Sequence, residues 1–217
     1  DTMFFHCLRG ATTPRGSLCW GAGIAAQTYD FGEVRGHDAD DLARAKTLIL
    51  WGRNPVNTNV HLLPFLQAAR DRGATVVLID PIRTATARIV DRHVPIRPGT
   101  DGALALGMAN WIIQRDKTDR DYIDAHVVGF EAFKASAASF TPERVAAITG
   151  LDPEDVTWLA DLYSGATPAA ILIGYGLQRY RNGGNTVRTI DALGAVTGMI
   201  GKSGGGVGYA NRSIIHH

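Results

Sequence analysis

Two stretches of the sequence decide the fold: TLILWGRNP (residues 47–55) and TVVLIDPIRTATA (residues 75–87). Each begins with a run of β-favouring residues, Thr47–Trp51 and Thr75–Ile79, and neither run alternates with polar residues. Such continuous apolar runs are typical of strands buried on both faces of a parallel sheet. The helical pattern between them closes at Gly73, a typical C-terminal cap. The two stretches therefore predict a strand–helix–strand unit with a polar loop after each strand, at the edge where open parallel sheets bind ligands.

The length and composition are those of an ordinary globular protein. The 217 residues, 45% hydrophobic and 20% charged, can bury a substantial core in one large or two small domains. A formal net charge of +1 gives no reason to expect a nucleic acid or an anionic membrane as partner. No segment approaches the roughly 20 apolar residues that span a bilayer, so we expect no direct membrane insertion.

The segment GSLCWGAG (residues 16–23) places a cysteine in a turn before small residues that favour a helix start. Its glycines would let the backbone approach a bulky group, so that Cys19 faces a ligand or a metal. The alternative is a small buried hydrophobe, the usual role of a free cysteine, and this reading fits Cys7 better than Cys19. The two cysteines are not in a CxxC arrangement and predict neither a disulfide framework nor a zinc site.

Polar loops also follow the later apolar runs. We expect a third strand over His93–Arg97, followed by a turn at Pro98–Asp101 and a buried helix. Arg83 and Thr84, after the second strand, suit phosphate, guanine or ribose contacts, or else belong to a solvated loop that caps the next helix.

The second half of the chain repeats the strand-and-loop pattern. Ala169–Ile173 reads as a strand that meets Gly174-Tyr175-Gly176, and a helix follows from Asn185 to about Ile200. The pair of glycines is weak evidence alone, because Arg179 stands where a dinucleotide fingerprint needs its third glycine. The terminal GKSGGGVG (residues 201–208) completes no phosphate loop.

Taken in order, LWGRNP, LIDPIRTATA, PIRPGTDGAL, GYGLQRYRNGG and GKSGGG closely resemble the central part of the molybdopterin oxidoreductase (dimethyl sulfoxide reductase) superfamily, over roughly residues 15–210. The resemblance implies an α/β fold of two Rossmann-like lobes with parallel sheets flanked by helices. One lobe, residues 39–115, would bind a dinucleotide. The other, residues 1–38 plus 116–217, would carry the metal-ligand segment and the GYGLQR loop.

The resemblance also implies the cofactor and the residues that hold it. In this family molybdenum or tungsten is bound by two molybdopterin guanine dinucleotides and by one protein side chain, and Cys19 stands at the position of that ligand. The resemblance assigns cofactor binding to Gly52, Arg53, Asn54 and Pro55; to Asp80, Pro81, Arg83 and Thr84 at the guanosine end; to Pro98, Gly99 and Asp101; and to Gly174, Gly176, Gln178 and Arg179.

By this resemblance the chain is part of an oxidoreductase that transfers two electrons or an oxygen atom on a small-molecule substrate and passes electrons to a partner subunit or domain. The family's iron-sulfur cysteine motif and its C-terminal domain do not appear in the sequence. We therefore expect a central fragment, inactive by itself, with the cluster in an upstream part. Trp20 follows Cys19 where formate-oxidising members usually carry histidine, which disfavours formate as substrate. The compartment, cytoplasmic or periplasmic, stays open.

Two alternatives remain. One is a non-catalytic homologue that keeps the fold without molybdenum, as in the large iron-sulfur subunit of respiratory complex I. The other is an unrelated α/β domain that binds an ordinary nucleotide.

Overall fold

The computed structural model describes residues 2–8, 10, 12, 16–34 and 36–210. Residue 15, where the resemblance begins, and residues 1 and 211–217, assigned to the second lobe, lie outside the described residues. The strands are β1 (Thr47–Trp51), β2 (Thr75–Ile79), β3 (Arg92–Val94), β4 (Ala169–Ile173) and β5 (Gly206–Gly208). The helices are α1 (Thr2–Cys7), α2 (Gly21–Phe31), α3 (Ala39–Leu42), α4 (Pro55–Thr58), α5 (Leu63–Asp71), α6 (Asp101–Gln114), α7 (Arg120–His126), α8 (Phe130–Ala137), α9 (Pro142–Thr149), α10 (Pro153–Gly165) and α11 (Gly183–Val196).

The five described strands form one parallel sheet in the order β3-β2-β1-β4-β5. The predicted α/β class, with parallel strands flanked by helices, is confirmed. Strands from the residues assigned to both lobes share this sheet, since Thr47 pairs with Thr75 of β2 on one side and with Ala169 of β4 on the other; the division into two lobes stays a prediction. A strand that is apolar throughout can be paired along both edges and covered on both faces, which allows β1 to take the central place.

The side chains of the central strands alternate between two cores. Ile49 and Trp51 of β1 lie in the larger core, which includes residues of α2, α6, α9, α10 and α11. Leu48 and Leu50 point to the opposite face, into a smaller core with residues of α3 and α5. Because successive strand residues point to opposite faces, four apolar residues in a row, Leu48–Trp51, supply both cores.

Two helices of the second half begin at residues that favour a helix start. The helix after Thr141-Pro142 begins at Pro142, and the Thr141 hydroxyl accepts from the Arg144 N–H at 3.3 Å. The helix after Asp152 begins at Pro153, as expected of proline in a first turn. A break at Gly129, which has a φ of 82°, separates α7 from α8.

Other boundaries differ from the prediction. The third strand covers residues 92–94 instead of 93–97, because Pro95 has no N–H for the ladder and the Ile96 N–H turns back to the Val94 carbonyl. Helix α11 begins at Gly183 and ends at Val196, earlier than Ile200. Gly198 therefore lies beyond the helix, in the left-handed region with a φ of 64°.

Helices α2 and α11 pack side by side and are joined by polar contacts. The Gln27 amide donates to Asp191 at 2.9 Å, and Arg188 donates to Asp30 at 2.7 Å. This pairing fixes α2, and so the cysteine segment before it, against the sheet. Within the described part of the chain, no helix has the length and apolar character needed to cross a membrane.

Candidate functional site

The order of the strands reverses between β1 and β4, and the carboxyl ends of these two strands form the topological switch point of the sheet. From β1 the chain continues outward through β2 and β3 on one side, and through β4 and β5 on the other. In open α/β sheets, ligands bind in the crevice outside the strands at such a point. The two loops that lie there begin at Gly52 and Gly174.

These two loops touch through their glycines. The Gly174 N–H donates to the Trp51 carbonyl at 2.8 Å, and a Cβ on Gly174 would overlap the Gly52 carbonyl oxygen. Gly52 has a φ of 62°, and a Cβ there would overlap Leu177. Gly174 therefore requires glycine for close backbone approach, and Gly52 favours glycine because of its positive φ.

The side chain of Gln178 holds the cysteine segment against the β4 loop. Its Oε1 accepts from the Ala22 N–H at 2.6 Å and the Gly23 N–H at 3.3 Å, and its Nε2 donates to the Leu18 carbonyl at 2.9 Å. Helix α2 has no side-chain cap at Trp20, so Gln178 satisfies two of its otherwise unpaired N-terminal N–H groups. We call this arrangement the Gln178 clamp.

The clamp presents Cys19 at the carboxyl edge of the sheet. The cysteine is exposed, and Arg179 Nη2 lies 3.6 Å from its Sγ. A cation is thus placed beside a sulfur that would bind a metal as the thiolate. Cys7, expected to be a buried hydrophobe, is also exposed, because α1 contributes no side chain to the described core.

Three aromatic side chains form a wall behind the cysteine segment. The ring centroids of Trp20 and Tyr175 are 5.6 Å apart, and those of Tyr175 and Tyr209 are 5.1 Å apart. The Tyr209 hydroxyl donates to the Trp20 carbonyl at 3.3 Å, and burial raises the pKa of this phenol, so it stays a neutral donor. A Cβ on Gly23 would overlap the Tyr209 ring, so glycine is needed for this contact.

The loops after β1 and β2 are tied together by Thr86, a residue that the sequence analysis did not select. Its hydroxyl donates to Asn54 Oδ1 at 2.6 Å and accepts from the Val56 N–H at 3.3 Å. Thr86 is fully buried, in a short 3-10 turn over Ala85–Arg88. The sequence feature that could have identified Thr86 is its position in the run of threonines and alanines that follows β2.

Asp101 links the end of β1 to the start of α6. Its Oδ1 accepts from Trp51 Nε1 at 2.9 Å, and the aspartate is 5% exposed. Burial raises the pKa of Asp101; the Trp51 hydrogen bond opposes this shift and the nearby Asp80 charge adds to it. This geometry fits a residue that holds the loop in place, and the predicted contact with a cofactor stays a prediction.

The other predicted site residues fall into three groups by their exposure to solvent. Exposed at or near the carboxyl edge are Pro81, Arg83, Pro98, Gly99, Gly176 and Arg179. Gly52, Arg53, Asn54 and Thr84 are half-buried, and Pro55, Asp80, Gly174 and Gln178 are buried. The residues of the first two groups have surface that a ligand could touch. Each individual binding role stays a prediction.

Asp80 and Thr84 offer polar atoms at the end of β2. Asp80 Oδ1 accepts from the Ile82 N–H at 2.9 Å, which fixes the turn after the strand. Thr84 Oγ1 is buried and has no hydrogen-bond partner in the described structure. A buried hydroxyl without a partner is uncommon and is expected where a ligand completes the site.

The fold and this edge define an α/β protein with a ligand site at the carboxyl ends of its parallel strands. The family model for molybdopterin oxidoreductases matches residues 10–217, and the chain belongs to that family.

Individual relatives agree with this assignment. The chain is 41% identical to the probable oxidoreductase YyaE of Bacillus subtilis over 99% of its own length and 32% of that protein. It is 32% identical to the F420-dependent formate dehydrogenase subunit alpha of Methanocaldococcus jannaschii, over 93% of this chain and 29% of that protein. Among solved structures it is similar to acetylene hydratase from Pelobacter acetylenicus, with a TM-score of 0.76 and 30% identity, over 83% of this chain and 25% of that one. The chain thus spans about a third or less of the length of these relatives.

Proposed function

We propose that this chain is the cofactor-holding part of a molybdenum or tungsten oxidoreductase with two molybdopterin guanine dinucleotides. The enzyme transfers two electrons or an oxygen atom on a small-molecule substrate and passes electrons to a partner subunit or domain. The observation that carries the proposal is the Gln178 clamp, which brings an exposed cysteine and Arg179 to the edge where the β1 and β4 loops meet. When bound, the metal and its pterins supply the redox chemistry.

The residues present fit such a cofactor. A thiolate suits a soft metal, and Cys19 would be the protein's ligand to it. Asp80 would accept hydrogen bonds at the guanosine end, and Thr84 Oγ1 has no protein partner in the described structure. The exposed Arg83 and Arg179 would bind phosphate oxygens. A Cβ on Gly176 would have nothing within 4 Å, so the backbone there is open to a ligand.

The remaining residues of the edge would orient the cofactor and limit water. Gly52 and Gly174 set the separation of the two loops, and the Gln178 clamp fixes the backbone on both sides of Cys19. Trp20, Tyr175 and Tyr209 would form an apolar wall on one side of the reacting centre. Binding, orientation and exclusion of water are the protein's contributions in enzymes of this kind.

We propose a small molecule as substrate and do not name a particular compound. The names of the relatives differ, one being a formate dehydrogenase subunit and another an acetylene hydratase. Trp20 after Cys19 argues against formate. We also propose an iron-sulfur cluster in another part of the full-length gene product as the route for electrons. A non-catalytic homologue is disfavoured, because an exposed cysteine beside an arginine has no evident structural role.

The test uses the full-length gene product and two matched cysteine variants. We expect about one molybdenum or tungsten and two guanine nucleotides in each protein. Cys19→Ala should abolish turnover and remove one sulfur ligand in X-ray absorption spectra of the metal. Cys7→Ala, which changes the other exposed cysteine, should leave both unchanged. An active preparation without metal and guanine would refute the proposal, and unchanged spectra in Cys19→Ala would remove Cys19 from the metal site.

A further inference from the structure

A separate pocket lies on the face of the sheet that carries the smaller core. Its volume is about 210 Å³, and its polar wall is formed by His37, Arg53, Asn59, His61 and Tyr209. Apolar side chains from α3, α5 and β4 form its floor. Ligand sites combine an apolar lining with a few polar groups in this way.

Arg53 gives this pocket a positive charge. It is the one arginine, lysine, aspartate or glutamate among the described residues that line the pocket. Its Nη1 donates to the Ile173 carbonyl at 3.3 Å, and no described carboxylate lies within ion-pair distance of its guanidinium. The other N–H groups of this five-donor fork therefore stay available for an acceptor.

His37, one of the two histidines in the wall, does not add to that charge at neutral pH. Burial lowers the pKa of His37 from 6.5 to about 4, and hydrogen bonds to the Gly206 and Gly205 backbone only partly oppose the shift. Burial also lowers the pKa of Arg53, which shows a guanidinium partly removed from water. A partly desolvated cation without an anionic partner favours binding of an anion.

The size of the pocket limits which anion fits. Pockets for drug-sized ligands measure about 300–1,000 Å³, so one of about 210 Å³ admits a few heavy atoms and excludes a dinucleotide. We propose that this pocket binds a small oxyanion, either a short carboxylate or a free tetrahedral or planar inorganic anion, through Arg53. Asn59 and the Tyr209 hydroxyl line the same space and can add neutral hydrogen bonds.

The pocket adjoins the proposed metal site through Tyr209. This tyrosine lines the pocket and its hydroxyl reaches the carbonyl of Trp20, the neighbour of Cys19. The inference does not require the proposed cofactor chemistry, since the pocket is defined by Arg53 and its own surroundings. It assigns Arg53 to the anion pocket, whereas the sequence resemblance assigned this residue to the binding of a dinucleotide.

The experiment titrates the full-length gene product with sodium formate, nitrate and phosphate at constant ionic strength, by isothermal titration calorimetry. We expect saturable binding of at least one of these anions at one site per chain. Arg53→Gln should weaken it about tenfold or more, because a hydrogen bond to a charged group is lost. Arg72→Gln is the control, since Arg72 also donates to one backbone carbonyl, that of Ala43, but lies outside the pocket.

A second variant tests the pocket without removing the charge. Ala39→Leu adds a side chain at a lining position, and we expect it to block anion binding while Arg53 is kept. The inference is overturned if no anion binds saturably, or if Arg53→Gln and Ala39→Leu bind as tightly as the unmodified protein. Competition by guanosine monophosphate would also overturn it, because the anion site would then belong to the dinucleotide. Metal and guanine contents measured on the same samples test the proposed function independently.

Discussion

Gly174 and Gly176 offer a matched test of the contact between the β1 and β4 loops. A Cβ on Gly174 would overlap the Gly52 carbonyl oxygen and lie 2.5 Å from the Gly52 carbonyl carbon. A Cβ on Gly176, two residues later, would have nothing within 4 Å. We therefore expect Gly174→Ala to destabilise the protein and Gly176→Ala to have little effect.

The cost of Gly174→Ala follows from how little the two loops can move. Ordinary van der Waals contact begins near 3.4 Å, so the Gly52 carbonyl carbon would have to retreat by about 1 Å from a Cβ at 2.5 Å, and the carbonyl oxygen, which is nearer, by more. The two loops directly follow strands that are paired over their full length, and the Gly174 N–H is bonded to the Trp51 carbonyl. Overpacking costs about 1–3 kcal/mol, and the hydrogen bond from the Gly174 N–H to the Trp51 carbonyl would be partly lost as well. We therefore expect Gly174→Ala to lower the free energy of unfolding by about 3 kcal/mol.

Thermal unfolding monitored by circular dichroism measures this difference. For a protein of this size, about 3 kcal/mol lowers the Tm by roughly 6–12 °C. Gly176→Ala should stay within about 0.5 kcal/mol of the unmodified protein, as is usual for surface changes. Equal Tm values for the two variants would show that the loops separate without cost, and the close approach would then have no structural role.

Three further predictions concern the clamp and two buried ionisable groups. Gln178→Leu leaves the Ala22 and Gly23 N–H groups unpaired, so we expect their hydrogen exchange to accelerate at least tenfold; unchanged exchange would contradict the clamp. Burial lowers the pKa of His37 to about 4 in the folded protein, against 6.5 for a free histidine. As the pH falls from 6.5 toward 4, the unfolded chain therefore binds the proton more readily than the folded one. The free energy of unfolding should decrease by at most about 3 kcal/mol over this range. His37→Gln should flatten that part of a Tm profile, and an unchanged slope would count against burial of the imidazole. Burial raises the pKa of Asp191, so stability should fall as the pH rises from the ordinary aspartate range through the raised pKa, and Asp191→Asn should remove that fall.

The parts of the fold that could be predicted are those that local sequence determines. The runs Thr47–Trp51, Thr75–Ile79 and Ala169–Ile173 are continuous β-favouring or apolar segments, and each forms a strand with the predicted bounds. Proline and threonine at Thr141-Pro142 marked a helix start because both act on the backbone beside them. The end of the third strand was not predicted correctly, because the strand stops before Pro95. The length of a strand also depends on which neighbouring strand is available for pairing.

What could not be predicted depends on contacts between distant parts of the chain. Local pattern does not determine that β1 pairs with β4, whose residues follow more than a hundred positions later. The Gln178 clamp likewise joins residues 155–160 positions apart, and a glutamine in a loop has no local property that selects its partner. The resemblance selects Gln178 as a cofactor contact, and that role stays a prediction. The structure adds that both of its amide atoms are hydrogen-bonded to the cysteine segment.

The clamp also connects features that the sequence presents as separate loops. The segment from Gly174 to Arg179 touches Gly52 at its beginning, holds the α2 N-terminus through Gln178, and places a guanidinium beside Cys19 at its end. A shift of the β1 loop must therefore move the β4 loop, because the Gly52–Gly174 contact leaves no free space between them. The same shift would reach Cys19 through six residues that contain a short 3-10 turn. We therefore expect a ligand that fixes the β1 loop to restrict the position of the cysteine thiol as well, through the contacts of the segment from Gly174 to Arg179.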